Sequence, residues 1–322
     1  MLALSFLTGG AAWAADEPAA SGPAANALKQ DAVCTRCHDE TETRPVLSIF
    51  QTKHGVVADA RTPTCQSCHG ESAKHVAGGP GVGDASRPAP DVLYKPRGSV
   101  YKASEAATQV GACIACHKGG LRTHWSGSQH QMQDIPCAAC HKVHVKSDPV
   151  LTKATQPEVC FACHKEQRAQ THLVSTHPLD AGKMACSDCH NPHGSAGPKL
   201  LKKNSVVETC TTCHAEKRGP FLWEHQPVNE DCTNCHTPHG SNISPLLKDR
   251  PPFLCDDCHD GPHNSQAPYG SGAAGLQGGL LGTLASGATK TNPNTSASGR
   301  ACLNCHVMVH GSNSPAGAFL HR

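Results

Sequence analysis

This sequence predicts an elongated chain of short α-helices and irregular loops with little or no β-sheet. Two observations carry that expectation. The string Cys-X-X-Cys-His occurs ten times and uses all 20 cysteines of the 322 residues. Aromatic residues are only 4% of the chain, while Gly (30) and Pro (24) are abundant. A core built from side chains would be thin, so the interior has to come from whatever the ten strings hold.

The strings place paired thiols at Cys34 and Cys37, Cys65 and Cys68, Cys113 and Cys116, Cys137 and Cys140, Cys160 and Cys163. They continue at Cys186 and Cys189, Cys210 and Cys213, Cys232 and Cys235, Cys255 and Cys258, Cys302 and Cys305. This is the attachment signal of a c-type haem. Both thiols add to haem vinyl groups, and the next residue becomes the first axial ligand of the iron. Those residues are His38, His69, His117, His141, His164, His190, His214, His236, His259 and His306. A zinc site does not require His after the second Cys in every copy. A redox dithiol would occur once, and a disulfide framework would not repeat one spacing. The fold class is therefore a multihaem cytochrome c, with ten covalently bound haem c groups stacked as its core. Short helices belong at the motifs, and the haem-free chain should be largely unfolded.

Charge and compartment follow. The formal charge is +2. Two propionates per haem and one positive charge per ferric porphyrin bring the loaded chain to about −8 oxidised and about −18 reduced. That argues against a nucleic-acid partner. Residues 1–14 read as a secretion signal, with Leu2 to Leu7 as its apolar stretch and Ala12-Trp13-Ala14 as its cleavage site. The basic start of such a signal is missing, so translation is expected to begin further upstream. Haem attachment outside the cytoplasm demands export. No later stretch reaches the ~20 apolar residues of a membrane helix.

Along the chain, 15–33 reads as an N-terminal linker, 34–176 as a first pentahaem half and 177–322 as a second. Gly78 to Pro90 and Ser265 to Gly299 are loops rich in Gly, Ala and Pro. Within the dense middle lies a larger repeat: CAACHKVHVKSDPVL from Cys137, CSDCHNPHGSAGPKLL from Cys186 and CTNCHTPHGSNISPLL from Cys232, with a diluted copy, CLNCHVMVHGSN, from Cys302. A plainer motif follows each of the first three. The unit is thus a two-haem module of 46 to 49 residues, stacked haem on haem.

Thirteen of the 23 histidines lie outside the motifs, enough for a second histidine on every iron. Met132, Met184 and Met308 could serve only a few. Bis-histidine ligation closes an iron, and its potential lies below that of His/Met ligation. His144, His193 and His239 follow a motif histidine by three residues, and His263 and His310 by four. Each is too close to reach the far face of its own haem and should cross to an adjacent one. His54, His75, His130, His177 and His225 complete the ten distal candidates, leaving His124, His172 and His321. Lys118, Lys142, Lys165, Lys217 and Arg218, just after motifs, are candidates to pair with propionates.

These residues resemble the MtrA/DmsE family of periplasmic decahaem c-type cytochromes. The resemblance runs from about Ala32 to Arg322 and rests on CSDCHNPHGS at Cys186, CHAEKRGPFLWEH from Cys213 and CLNCHVMVHGS at Cys302. His54 in KHG, His177 in THP and His225 in WEH match the family's ligand contexts. The shortened signal and the Gly-rich loop after His263 depart from it. The resemblance implies ten bis-histidine irons and an electron conduit across the outer membrane inside a β-barrel porin. Its partners would be periplasmic or inner-membrane cytochromes on one side and an extracellular multihaem cytochrome or other terminal redox protein on the other. The final donor or acceptor would be iron or manganese oxides, Fe(II) or dimethyl sulfoxide. Alternatives are a soluble periplasmic electron shuttle or store and, less favoured, a multihaem nitrite- or sulfite-type reductase. The histidine surplus argues against the reductase, which needs an open iron.

Overall fold

The computed structural model describes residues 23–39, 41, 46–56, 61–78, 87–95, 101–259, 302–315, 317 and 319–321. The secretion-signal segment, His263, residues 265–299 and most of the loop after Gly78 lie outside them.

The α-helices are short: α1 (Pro23–Thr35), α2 (Cys65–His69), α3 (Ala73–Ala77), α4 (Ala106–Ile114), α5 (Gln129–Met132), α6 (Cys137–Cys140), α7 (Gln156–Phe161), α8 (Lys165–Gln170), α9 (Cys186–Cys189), α10 (Val206–Cys210), α11 (Gln226–Glu230) and α12 (Phe253–Asp256). α1 overlaps what the sequence suggested was a linker at 15–33; the backbone there is helical from Pro23 and runs into the first motif. The described residues form no sheet, only isolated bridges. None of their helices is long and apolar enough to cross a membrane.

The motif itself explains the helices. One helical turn brings residues i, i+3 and i+4 to one side, so both thiols and the histidine converge on one haem. The first cysteine's carbonyl closes that turn, accepting from His141 N at 2.8 Å, His190 N at 2.9 Å, His214 N at 2.9 Å and His236 N at 3.0 Å. The turn is used in two ways. Before odd-numbered motifs a helix ends at the first cysteine or within one residue of it, as in α1, α4, α7, α10 and α12. At even-numbered motifs a helix begins there: α2, α6 and α9, or a 3₁₀ turn at Cys232–Asn234 and Cys302–Asn304. The two-haem module is thus a structural alternation.

Contacts group the chain into two compact units, one holding the residues up to Ala115 with Lys142–Ser147, the other Cys116–His141 with Asp148–Arg322. This division does not coincide with the motif count, which put a boundary near Thr176. The short segment 142–147 joins the first unit because it carries His144, whose Nδ1 donates to Val46 O at 2.7 Å and whose own carbonyl accepts from Ser48 Oγ at 2.5 Å. In that unit α1 packs on α2, and buried Asp31 accepts from Cys65 N at 2.8 Å. In the second, paired bonds tie distant loops: Ser175 to Ser241, and Trp223 to Ser312.

Few apolar side chains are buried among the described residues: Val110, Phe161, Ala185 and Leu247. Others stand open, such as Leu151 (74% exposed) and Val174 (84%). Such a chain lacks the apolar interior that folding requires, consistent with porphyrins supplying it.

Candidate metal centres

Eight motif histidines each face one histidine from outside the motifs. In the first unit His38 faces His75 and His69 faces His144, both with ring centres 6.2 Å apart. In the second, the pairs are His130–His164 (6.1 Å), His141–His193 (6.0 Å), His177–His214 (6.4 Å), His190–His239 (6.1 Å), His225–His259 (6.0 Å) and His236–His310 (6.2 Å). The spacing is nearly constant while the interplanar angle runs from 10° to 86°. Rings in van der Waals contact would not hold one spacing over that range of tilts. Two metal–imidazole bonds of about 2 Å plus half a ring on each side come to about 6 Å. The gap therefore fits one iron.

The nitrogens agree. The carbonyl bonded to a ring Nδ1 can only accept, so Nδ1 carries the proton and Nε2 is left with a bare lone pair, as a ligand needs. Such bonds run from His75 to Pro88 O (2.7 Å), His130 to Pro192 O (2.9 Å), His177 to Pro238 O (2.9 Å) and His225 to Val309 O (2.9 Å). Motif histidines do the same: His69 to Val92 O (2.8 Å), His190 to Lys199 O (2.9 Å), His236 to Pro245 O (2.9 Å) and His306 to Phe319 O (2.6 Å). Burial, the largest cause in each case, pushes the His69, His193, His239 and His310 imidazoles down from their ordinary value, so they stay neutral and able to ligate.

A register emerges that the sequence did not disclose. The histidine just after an even-numbered motif faces the motif two places earlier: His144 faces the second, His193 the fourth, His239 the sixth and His310 the eighth. It reaches past the intervening motif, where the sequence suggested an adjacent haem. The histidine ahead of an even-numbered motif instead faces the odd motif after it: His130 faces the fifth, His177 the seventh and His225 the ninth. The two sets support each other, because His130, His177 and His225 bond to the carbonyls just before His193, His239 and His310. Glycine is required where these loops cross. A Cβ on Gly194 (φ +106) would lie 2.1 Å from His124 O, and one on Gly311 (φ +125) 2.2 Å from Phe221 Cδ2.

Consecutive motifs also touch through sulfur. Cysteine side chains of consecutive motifs lie beside one another: Cys34 with Cys65, Cys160 with Cys186, and Cys210 with Cys232. Each sulfur would carry a different haem, so these contacts bring haem edges together. Of the remaining candidates, His54 lies ahead of an even motif, like His130, and His263 falls outside the described residues. His124 and His172 enter none of the eight pairs; the His172 Nδ1 is 3.7 Å from Asp180. The His321 ring centre is 4.4 Å from that of His306, too close for an iron between them.

Repeated thioether-forming motifs, with a histidine poised opposite each of eight motif histidines, define a multihaem c-type cytochrome, an electron-transfer protein with covalently bound haem c. The pattern described as Doubled CXXCH motif matches residues 177–219 and 225–264, and that of Cytochrome c-type protein NrfB-like matches 65–156. The chain is 42% identical over 295 residues to Multiheme cytochrome MtrA of Shewanella baltica, covering 90% of this chain and 80% of that protein. It belongs to that family of multihaem cytochromes. It is also 32% identical over 157 residues to Cytochrome c-type protein NrfB of Haemophilus influenzae, covering 42% of this chain and 65% of that one.

Proposed function

We propose that the chain carries ten bis-histidine haems and conducts electrons across the outer membrane inside a β-barrel porin. It would link periplasmic carriers to an extracellular donor or acceptor. The observation that carries the reading is the set of eight histidine pairs with iron-sized gaps. Each leaves no axial position for a substrate, which favours a wire over a reductase. His54 and His263 are the remaining distal ligands, the first by its place in the repeat. The haem supplies the one-electron chemistry when bound. Backbone carbonyls on Nδ1 fix the tautomer of most of these imidazoles, and neighbouring cysteines bring three pairs of consecutive motifs together.

Family and physics together support the outer-membrane placement. Headgroups included, a bilayer is ~40–45 Å thick, and its core excludes charged groups. A barrel with a polar lumen can sheath a chain whose described helices do not span a membrane. The test is mild-detergent extraction of outer membranes and purification through this protein. A stoichiometric barrel protein that shields most of the cytochrome from protease is expected. Free cytochrome in the periplasmic fraction would favour the soluble shuttle instead.

A further inference from the structure

The histidine of the fourth motif bonds a carboxylate where those of the second, sixth, eighth and tenth motifs bond backbone carbonyls. Ten of the described histidines have an acceptor within 3 Å of Nδ1, whereas the carboxylates near His172 and His214 stand off at 3.7 and 3.9 Å. For nine of them, His69, His75, His130, His144, His177, His190, His225, His236 and His306, the acceptor is a backbone carbonyl. For His141 it is the carboxylate of Asp148, at 2.8 Å.

The repeat explains the exception. In the modules from Cys186 and Cys232 the accepting carbonyl lies nine residues past the histidine, on Lys199 and Pro245. The next residue, Leu200 or Leu246, is held in the left-handed region at φ +59° or +58°, a strained conformation for a branched side chain. Leu320 after Phe319 repeats it at +55°. That turn swings the carbonyl onto the imidazole. In the module from Cys137 the acceptor lies only seven residues on, and Leu151 is not among the residues with positive φ. The shorter, unstrained turn presents a side chain instead. Asp148 is held by accepting from Val150 N at 3.3 Å, and its side chain is 12% exposed. The opposite histidine of the same pair, His193, has a buried Nδ1 without a partner, as does the nearby Trp125 Nε1.

We propose that Asp148 is a positioning residue that makes the haem between His141 and His193 the low-potential site among the even-numbered haems of its unit. A carboxylate on Nδ1–H draws the proton toward itself and makes the imidazole a stronger donor, which stabilises ferric over ferrous iron. A neutral carbonyl does so less, and the partnerless His193 does not offset it. Electrons crossing this unit meet an uphill step at the fourth haem. The inference rests on the bis-histidine reading of the His141–His193 pair.

The test compares the exported haem-loaded protein with its Asp148→Asn variant by spectroelectrochemical titration and electron paramagnetic resonance. Asn keeps an acceptor and removes the charge. One electron of the titration should leave the low-potential end, with at least a tenfold change in that iron's ferric/ferrous equilibrium, which for one electron is about 59 mV. The spectrum should stay low-spin. Asp148→Glu keeps the charge and should titrate like the parent. Asp180→Asn, which removes an exposed carboxylate near His172, should leave the titration unchanged. A low-spin Asp148→Asn protein with an unmoved titration would overturn the proposal while leaving the ligand reading intact, and so would equal shifts from Asn and Glu. High-spin iron in the parent protein would instead overturn the ligand reading.

Discussion

Odd- and even-numbered motifs use the same five residues to opposite ends. At an odd motif a helix arrives, delivers its cysteines and stops; among the described residues, no histidine in the loop beyond faces the motif two places back. At an even motif a helix starts, and from the fourth motif on a histidine three or four residues beyond the motif histidine faces the motif histidine two places earlier. On the proposed ligand reading, even motifs from the fourth on would therefore bind one haem and complete another. The chain is stitched backwards through its even motifs and forwards through the histidines that precede them. No module is self-sufficient, which is why a repeat of barely 50 residues with almost no apolar core holds together.

The strongest break of this symmetry is removal of whole motifs. Replacing Cys232 and Cys235 by Ala should remove one haem and displace His239, opening a second iron: intact mass should show one haem lost, and electron paramagnetic resonance one new high-spin iron. The same change at Cys210 and Cys213 should remove one haem and open none. Equal outcomes would erase the distinction between the two kinds of site.

Exchanging single ligands sharpens it. His239→Met should raise the potential of the sixth haem and His177→Met that of the seventh, because a thioether ligand favours ferrous iron. Each shift should be on the order of a tenth of the ~0.8 V that axial ligands span. One electron of the redox titration should move, with the protein still low-spin.

Glycines at loop crossings give a smaller effect. Gly194→Ala forces a Cβ against His124 O at positive φ and should lower stability by about 2 kcal/mol or more. Gly111→Ala, inside α4 with nothing within 4 Å of the new atom, should raise it by about 0.5–1 kcal/mol. Thermal unfolding of the oxidised holoprotein reads both.

The subtlest difference is electronic. The His130 and His164 rings cross at 86°, whereas His141 and His193 lie within 10° of parallel. Crossed planes leave the two iron π orbitals nearly degenerate and give a strongly anisotropic low-spin signal; parallel planes split them and give a rhombic one. Both signals should be present, and His164→Met should abolish one crossed component.

Much of this was legible in sequence because haem attachment is local: cysteines and histidine lie within five residues, and the repeat is plain to the eye. A supply of histidines outside the motifs was legible by number, and His130 rather than His124 enters one of the eight pairs. Which histidine serves which haem was not. His130 meets a carbonyl 62 residues away, and His144 one 98 away; such pairings are set by bridges such as Ser175–Ser241, which no local pattern announces. The alternation of arriving and starting helices was equally hidden, since both flank the same motif. Nothing in KSDPVL marks its Asp, and only the shortened loop puts it on an imidazole. The segment 142–147 reads as part of the second unit's repeat, yet His144 ties it to the first.

The most direct test of the central claim is a crystal structure of the haem-loaded protein that identifies both axial ligands of the sixth haem. The account predicts an iron between His190 Nε2 and His239 Nε2, with His193 on the haem of the fourth motif. An iron at His190 closed by His193 from its own module, by a methionine, or by no protein ligand would contradict it.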